Sequence, residues 1–253
     1  MGHFYTNITL PCPSRERIAE ELQKFRTEAF LSPVVKGITV VFDERSEERE
    51  KVLEDLGASL SRALECSALA VGNYDDDLLF LGVYQDGSCK GRYAWVDSLD
   101  LDADLEPLNT DEEFASFLCE AFDAGGIVER VRALLKTNPK YDETSFLWAL
   151  RGYKADLIMR EGKEAATREI WGILCRRLGT TRARELWDGL WRDPRPEETQ
   201  HTWEARFAVE FHQDLVDALD LNPYAVGAGF RYLEQGTAWE KEIGEFIRVR
   251  RQG

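Results

Sequence analysis

Between residues 68 and 96 the chain passes through three β-rich segments joined only by short turns, and this constrains the fold more than any other feature. Ala68-Leu69-Ala70-Val71, the run from Leu78 to Tyr84 and the run from about Cys89 to Val96 are separated by Tyr74-Asp75-Asp76-Asp77 and by the hairpin signal Asp86-Gly87. Strands joined so tightly pair antiparallel, because parallel neighbours need a crossover of about a dozen residues or more. An all-parallel sheet is therefore excluded.

Upstream, Phe4, Thr6, Ile8 and Leu10 alternate with Tyr5, Asn7 and Thr9, the period of a half-buried strand, until Pro11 and Pro13 stop it. Ser14 caps a helix that carries Ile18, Leu22 and Phe25 at helical spacing, and Gly37 to Phe42 returns to strand chemistry. A second helix sets Val52, Leu56, Leu60 and Ala63 against Glu48, Glu50, Glu54 and Asp55. The expected class is α+β: an antiparallel sheet with helices on one face, a split βαβ arrangement extended by a hairpin, followed by a C-terminal helical bundle segment.

Thr110 and Glu113 then form a T-x-x-E capping box for a helix that buries Phe114, Phe117, Leu118 and Phe122. A further helix over 127–136 leads to Asn138-Pro139, the main boundary. Three regions are expected: an acidic sheet domain over 1–138, a helical segment over 139–222, and a return segment over 223–253. The helical segment holds candidate helices at 143–160, 163–178, 181–192 and 200–220, punctuated by Gly162, Gly179 and Pro194-Arg195-Pro196. The return segment reads as extended chain from Tyr224 to Tyr232. It ends in a helix capped by Thr237 and Glu240, with Trp239, Ile243, Phe246 and Ile247 inward, packing back on the sheet domain. No internal repeat stands out.

Phe4-Tyr5-Thr6-Asn7, Val40-Val41-Phe42-Asp43-Glu44, Ala68 to Val71 with Asp75 to Asp77, and Ala225-Val226-Gly227-Ala228-Gly229-Phe230 together resemble a family of uncharacterised bacterial proteins. The resemblance covers roughly 1–136 and 203–236 and leaves 142–200 as an added helical segment. It implies no activity.

Charge is divided unevenly. Residues 1–125 carry 11 Lys and Arg against 26 Asp and Glu, whereas 126–253 carry 21 against 21. Such a field repels a phosphate backbone and attracts basic partners, so nucleic-acid binding through the first half is disfavoured. No window of about 18 uncharged apolar residues occurs, and the five cysteines are scattered without a C-x-x-C, which reads as a cytoplasmic protein with reduced thiols and no membrane span.

Several constellations have chemical potential. Asp75, Asp76 and Asp77 offer hard oxygen donors for a divalent cation and so for a metal-assisted hydrolase, but adjacent residues rarely converge on one ion, and an Asp-rich hairpin tip reads first as a solvated turn. Asp100-x-Asp102-x-Asp104 begins like a calcium loop and fails where Leu105 replaces the required Gly and Asp111 the bidentate Glu. His201 and His212 share a helix face but stand about 16 Å apart along its axis, too far for one metal. Exposed or capping roles suit His3, His201 and His212 best. Gly227-x-Gly229 lacks the third glycine of a dinucleotide fingerprint and reads as close packing or a bulge.

The stretch from Trp148 to Arg195 carries Trp148, Trp171, Trp187 and Trp191 with eleven Arg and Lys against seven Asp and Glu. Trp and Arg are the residues of interface hot spots, and they also stack on single-stranded nucleic acid, while Trp187 and Trp191 at i and i+4 have the spacing of a buried face. With no catalytic, cofactor or metal fingerprint, the expected function is a non-enzymatic interaction or regulatory protein. Its acidic domain meets a basic protein partner, Asp75 to Asp77 and the four tryptophans are candidate contact residues, and a metal-assisted hydrolase and a nucleic-acid binder are the alternatives.

Overall fold

The computed structural model of the protein describes residues 3–47, 49–76, 78–96, 109–137, 143–192, 208–236 and 246–251. The chain forms two compact units, one of residues 1–95, 105–138 and 207–253, the other of 96–104 and 139–206.

The first unit is built on a seven-stranded antiparallel sheet. Its strands are β1 (Tyr5–Leu10), β2 (Ala29–Leu31), β3 (Thr39–Asp43), β4 (Ala68–Tyr74), β5 (Leu78–Gln85), β6 (Ser88–Val96) and β7 (Ile247–Val249), in the spatial order β6-β5-β4-β1-β3-β2-β7. Helix α1 (Arg15–Lys24) joins β1 to β2, and α2 (Glu50–Leu64) joins β3 to β4. Because β3 lies antiparallel between β1 and β2, and β1 between β3 and β4, each helix spans a split βαβ, and the pair gives a ferredoxin-like core to which β5, β6 and β7 are added. The expected class holds. Side chains decide each element in turn: Ser14 accepts from the Arg17 amide to start α1, and α2 buries Leu53, Leu56, Leu60 and Leu64 on one stripe, each worth about 2 kcal/mol of apolar burial.

The helix layer differs from the expectation in one respect. Helices α1 and α2 cover one face, with Ile8, Leu10, Val41, Ala70 and Phe80 beneath them. The opposite face is covered as well, by α3 (Asp111–Ala121), α4 (Val128–Leu135), α7 (Ala208–Ala218) and α8 (Phe230–Glu234) over Tyr5, Val40, Phe42, Val71, Leu81 and Trp95. Strand β1 is consequently buried along its whole length rather than on one side, which takes Asn7 and Thr9 inside. Helix α7, expected in the helical segment, packs Phe211 and Leu215 into this core instead.

The return segment also differs. A 3-10 turn (Pro223–Ala225) and the short α8 replace the extended chain expected over 224–232, because Pro223 and two glycines outweigh the β-prone Tyr, Val and Phe. Ile247 lies in β7, which pairs with β2, and not in a helix; the predicted cap at Thr237 and Glu240 and the inward Trp239 and Ile243 lie outside the described residues.

The second unit contains α5 (Glu143–Glu161) and α6 (Lys163–Trp191). Gly179, at φ 76° and ψ 157°, breaks α6 into two halves where the sequence places the boundary. Phe146 and Leu150 of α5 pack with Ile170, Ile173 and Leu174 of the first half and Ala183 and Leu190 of the second.

Candidate functional site

In the sheet unit the buried face of β1 gathers polar groups. Tyr5 stands opposite Asn73 of β4, so both point to the same side of the sheet, toward α7. The Tyr5 hydroxyl lies 2.7 Å from Nδ1 of His212, and the two rings stack at 5.8 Å between centroids. Burial pushes the phenol pKa up, and burial alone pushes His212 down to about 3, so both are neutral near pH 7. Nδ2 of Asn7 donates to the Ala225 carbonyl at 2.7 Å. His212 is thus a core residue, contrary to the exposed or capping role expected for it.

The turn after β4 brings in the aspartates. Asp75 and Asp76 both have left-handed φ, as a tight hairpin requires, and Asp76 is 7% exposed. Its carboxylate accepts from Asn73 Nδ2 at 2.8 Å and from both the backbone N–H and Nδ1 of His3 at 2.9 and 2.8 Å. Burial works to raise this carboxyl, but the hydrogen bonds from Asn73 and His3 win and hold it below the usual value. A solvated tip was expected; instead Asp76 is the anchor that ties the N-terminal residues to the hairpin. Asp75 faces solvent, and Asp77 lies outside the described residues. Among the described residues no group of three or more His, Cys, Asp or Glu is placed to hold a metal ion. An imidazole held by a carboxylate at Nδ1 has the geometry of a general base, yet no described hydroxyl or thiol hydrogen-bonds to His3.

A third cluster surrounds Glu47. Its Oε1 accepts from the Arg231 amide at 3.2 Å, and its Oε2 lies 3.4 Å from Arg231 Nε. Burial raises its pKa against these favourable contacts. On the other face of the sheet a cleft of about 140 Å³ is lined by Thr27, Asp43, Arg45, Asp55 and Ser59. There Asp43 accepts from the Thr27 hydroxyl and, at 2.8 Å, from the Ser46 amide. These contacts brace the turn from β3 into α2.

In the helical unit the two halves of α6 form an open groove of about 390 Å³, lined by Thr167, Arg168 and Trp171 from one half and Arg184 and Trp187 from the other. Trp171 and Trp187 meet edge to face at 5.1 Å, and Trp187 meets Trp191 at 5.5 Å. Their inner sides pack on the buried core of the unit and their outer edges remain partly exposed. Lys154 and Lys163 lie over the Trp191 ring. Trp148 is carried by α5, and its side chain lies outside the described residues.

Sequence reasoning missed Arg168 and Arg184, although a signal was present. Arg168-Glu169-Ile170-Trp171 and Arg184-Glu185-Leu186-Trp187 are two copies of R-E-[I/L]-W, one on each half of α6. Four residues are too short to register as a repeat until a hairpin sets them face to face. Each glutamate is engaged elsewhere, Glu169 by the Tyr153 hydroxyl and Glu185 by Arg182 at 2.7 Å. The two arginines make no ion pair among the described residues, even with Glu164 and Asp188 one helical turn away.

No protein-family model matches the chain, and no curated protein or solved structure matches it. No described helix is long and apolar enough to cross a membrane.

Proposed function

We propose that this chain works by binding rather than by catalysis, as a cytoplasmic interaction or regulatory protein whose acidic sheet unit receives a basic protein partner. The observation that carries this reading is the outer side of α3. From Tyr93 to Glu129 the sequence holds eleven Asp and Glu and no Lys or Arg. Of the described part, Glu112, Glu113, Glu120 and Asp123 are exposed, and a cation from outside the stretch reaches Glu112 through Arg132 at 2.9 Å. The sheet unit as a whole has 19 Lys and Arg against 31 Asp and Glu, and the helical unit 13 against 16. A face on which acidic groups predominate steers an oppositely charged partner and sets the salt dependence of its association.

The test is binding of a lysine-rich peptide to the intact chain at low and high salt. Saturable binding that weakens with salt and in the triple variant Glu112→Gln, Glu120→Gln, Asp123→Asn supports the reading. No binding at low salt, or binding that the triple variant leaves unchanged, overturns it.

A further inference from the structure

In the groove on α6 an apolar recess and uncommitted cations coincide. Two tryptophans form its floor, Arg168 and Arg184 stand exposed on the two halves of the helix, and no acidic side chain lines it. The duplicated R-E-[I/L]-W places each arginine three residues before its tryptophan on antiparallel helix halves, so the groove is pseudo-symmetric, with one cation and one indole from each side.

We propose that this groove binds a protein segment in which a large apolar or aromatic side chain is flanked by acidic residues, the apolar group on Trp171 and Trp187 and one carboxylate on each arginine. A guanidinium free of other partners takes a carboxylate through two parallel N–H donors, and an indole edge and face offer a ring or branched aliphatic group well-defined contact. Charge complementarity limits the ligand as well as attracting it. Two arginines match one or two anions, whereas a nucleic-acid strand needs a continuous basic track, and residues 143–192 carry ten Lys and Arg interspersed with seven Asp and Glu. The groove is also open, with exposed arginines at its rim, which suits a segment laid across it better than a small molecule that must be mostly enclosed. This groove shares no residue with the acidic face of α3, and the two readings stand or fall independently.

Fluorescence anisotropy of a labelled peptide, Gly-Glu-Asp-Phe-Asp-Glu-Gly, titrated with the intact chain, tests the proposal. Saturable binding is expected, weakened about tenfold or more by Arg168→Gln with Arg184→Gln, and lost when the peptide's Phe is replaced by Gly or its acids by their amides. Far-UV circular dichroism of the arginine variant is expected to match the wild type, because both arginines are exposed and the fold does not rest on them. Absence of saturable peptide binding, or binding that the arginine variant leaves unchanged, overturns the proposal. So does tighter binding of an oligothymidylate than of the peptide, which would make the groove a nucleic-acid site. The α3 triple variant is expected to bind this peptide at least as well as the wild type.

Discussion

The Tyr5 hydroxyl and Nδ1 of His212 lie 2.7 Å apart and join the first strand to a helix 207 residues later, both side chains being wholly buried. Nε2 of the same imidazole finds no partner among the described residues and has no contact with solvent. A ring held this way tolerates no second proton.

The pH dependence follows from the direction of the shift. Burial lowers the folded pKa of His212 to about 3, whereas in the unfolded chain it is about 6.5, so the unfolded state takes up the proton first as pH falls. The stability tied to neutral His212 is fully present above about 6.5 and is lost progressively toward 3. Urea unfolding at stepped pH should show His212→Gln below the wild type at pH 7, for want of packing, with the gap closing as the medium is acidified. A gap that stays constant down to pH 4 would mean that His212 is not the group being protonated.

Gly229 is packed closely against strand β1 and Glu47. A Cβ there would stand 2.2 Å from Glu47 Oε1 and 3.2 Å from the Tyr5 Cα, and strand β1 cannot retreat. Gly229→Ala is expected to expel the Glu47 carboxylate from its contacts with Arg231 and to cost on the order of 1–3 kcal/mol as overpacking, read as a lower urea midpoint. Combining it with Glu47→Ala, which removes the clashing oxygen, should cost less than the two single changes added together. Simple additivity would remove the steric explanation.

Asn222 closes the loop before β3. Its Nδ2 donates to the Ile38 and Pro33 carbonyls at 2.9 and 3.0 Å, and its Oδ1 accepts from the Tyr224 amide at 3.1 Å. Asn222→Asp replaces the donor by acceptors that face two carbonyls, so it should destabilise more than Asn222→Ala near neutral pH, by about 1–3 kcal/mol relative to the parent. Equal loss in the two variants would show that water takes over the bonds.

How much of this was legible in the sequence depends on whether the signal was local. The cap at Ser14, the capping box at Thr110 and Glu113, the break at Gly179 and the hairpin at Asp86-Gly87 are chemistry within a few residues, and each forms where it was read. Strand β2 went unread because three residues are too short to show a period, although it completes the first split βαβ. The buried state of Asn7, Asp76 and His212 was illegible for another reason: partners 218, 73 and 207 residues away supply their hydrogen bonds. Glycine 229 is an intermediate case, since close packing was the right reason for it in the wrong element. In the candidate groove the tryptophans were legible from composition, while the arginines needed the hairpin of α6 to bring the two copies of their motif together.

That hairpin turns on one residue. At φ 76° and ψ 157°, Gly179 occupies a region open essentially to glycine alone, so Gly179→Ala must either adopt a strained backbone at about 1–3 kcal/mol or let α6 run straight through, for which Ala is the best helix former. Among the described residues, Phe146, Leu150, Ile170, Ile173, Leu174, Ala183 and Leu190 form the buried cluster that resists straightening. A straight α6 carries Trp187 away from Trp171 and bares one side of that core, which a second copy of the chain can cover by exchanging the distal half of the helix. Gly179→Ala is therefore expected to lose the near-UV circular dichroism of the tryptophan pair, to abolish binding at the groove and to shift the chain toward a dimer in light scattering. The transition of the sheet unit should stay where it is. If the variant stays monomeric with the tryptophan signal intact, the core is strong enough to impose the turn on alanine, and the glycine matters less than its backbone angles indicate.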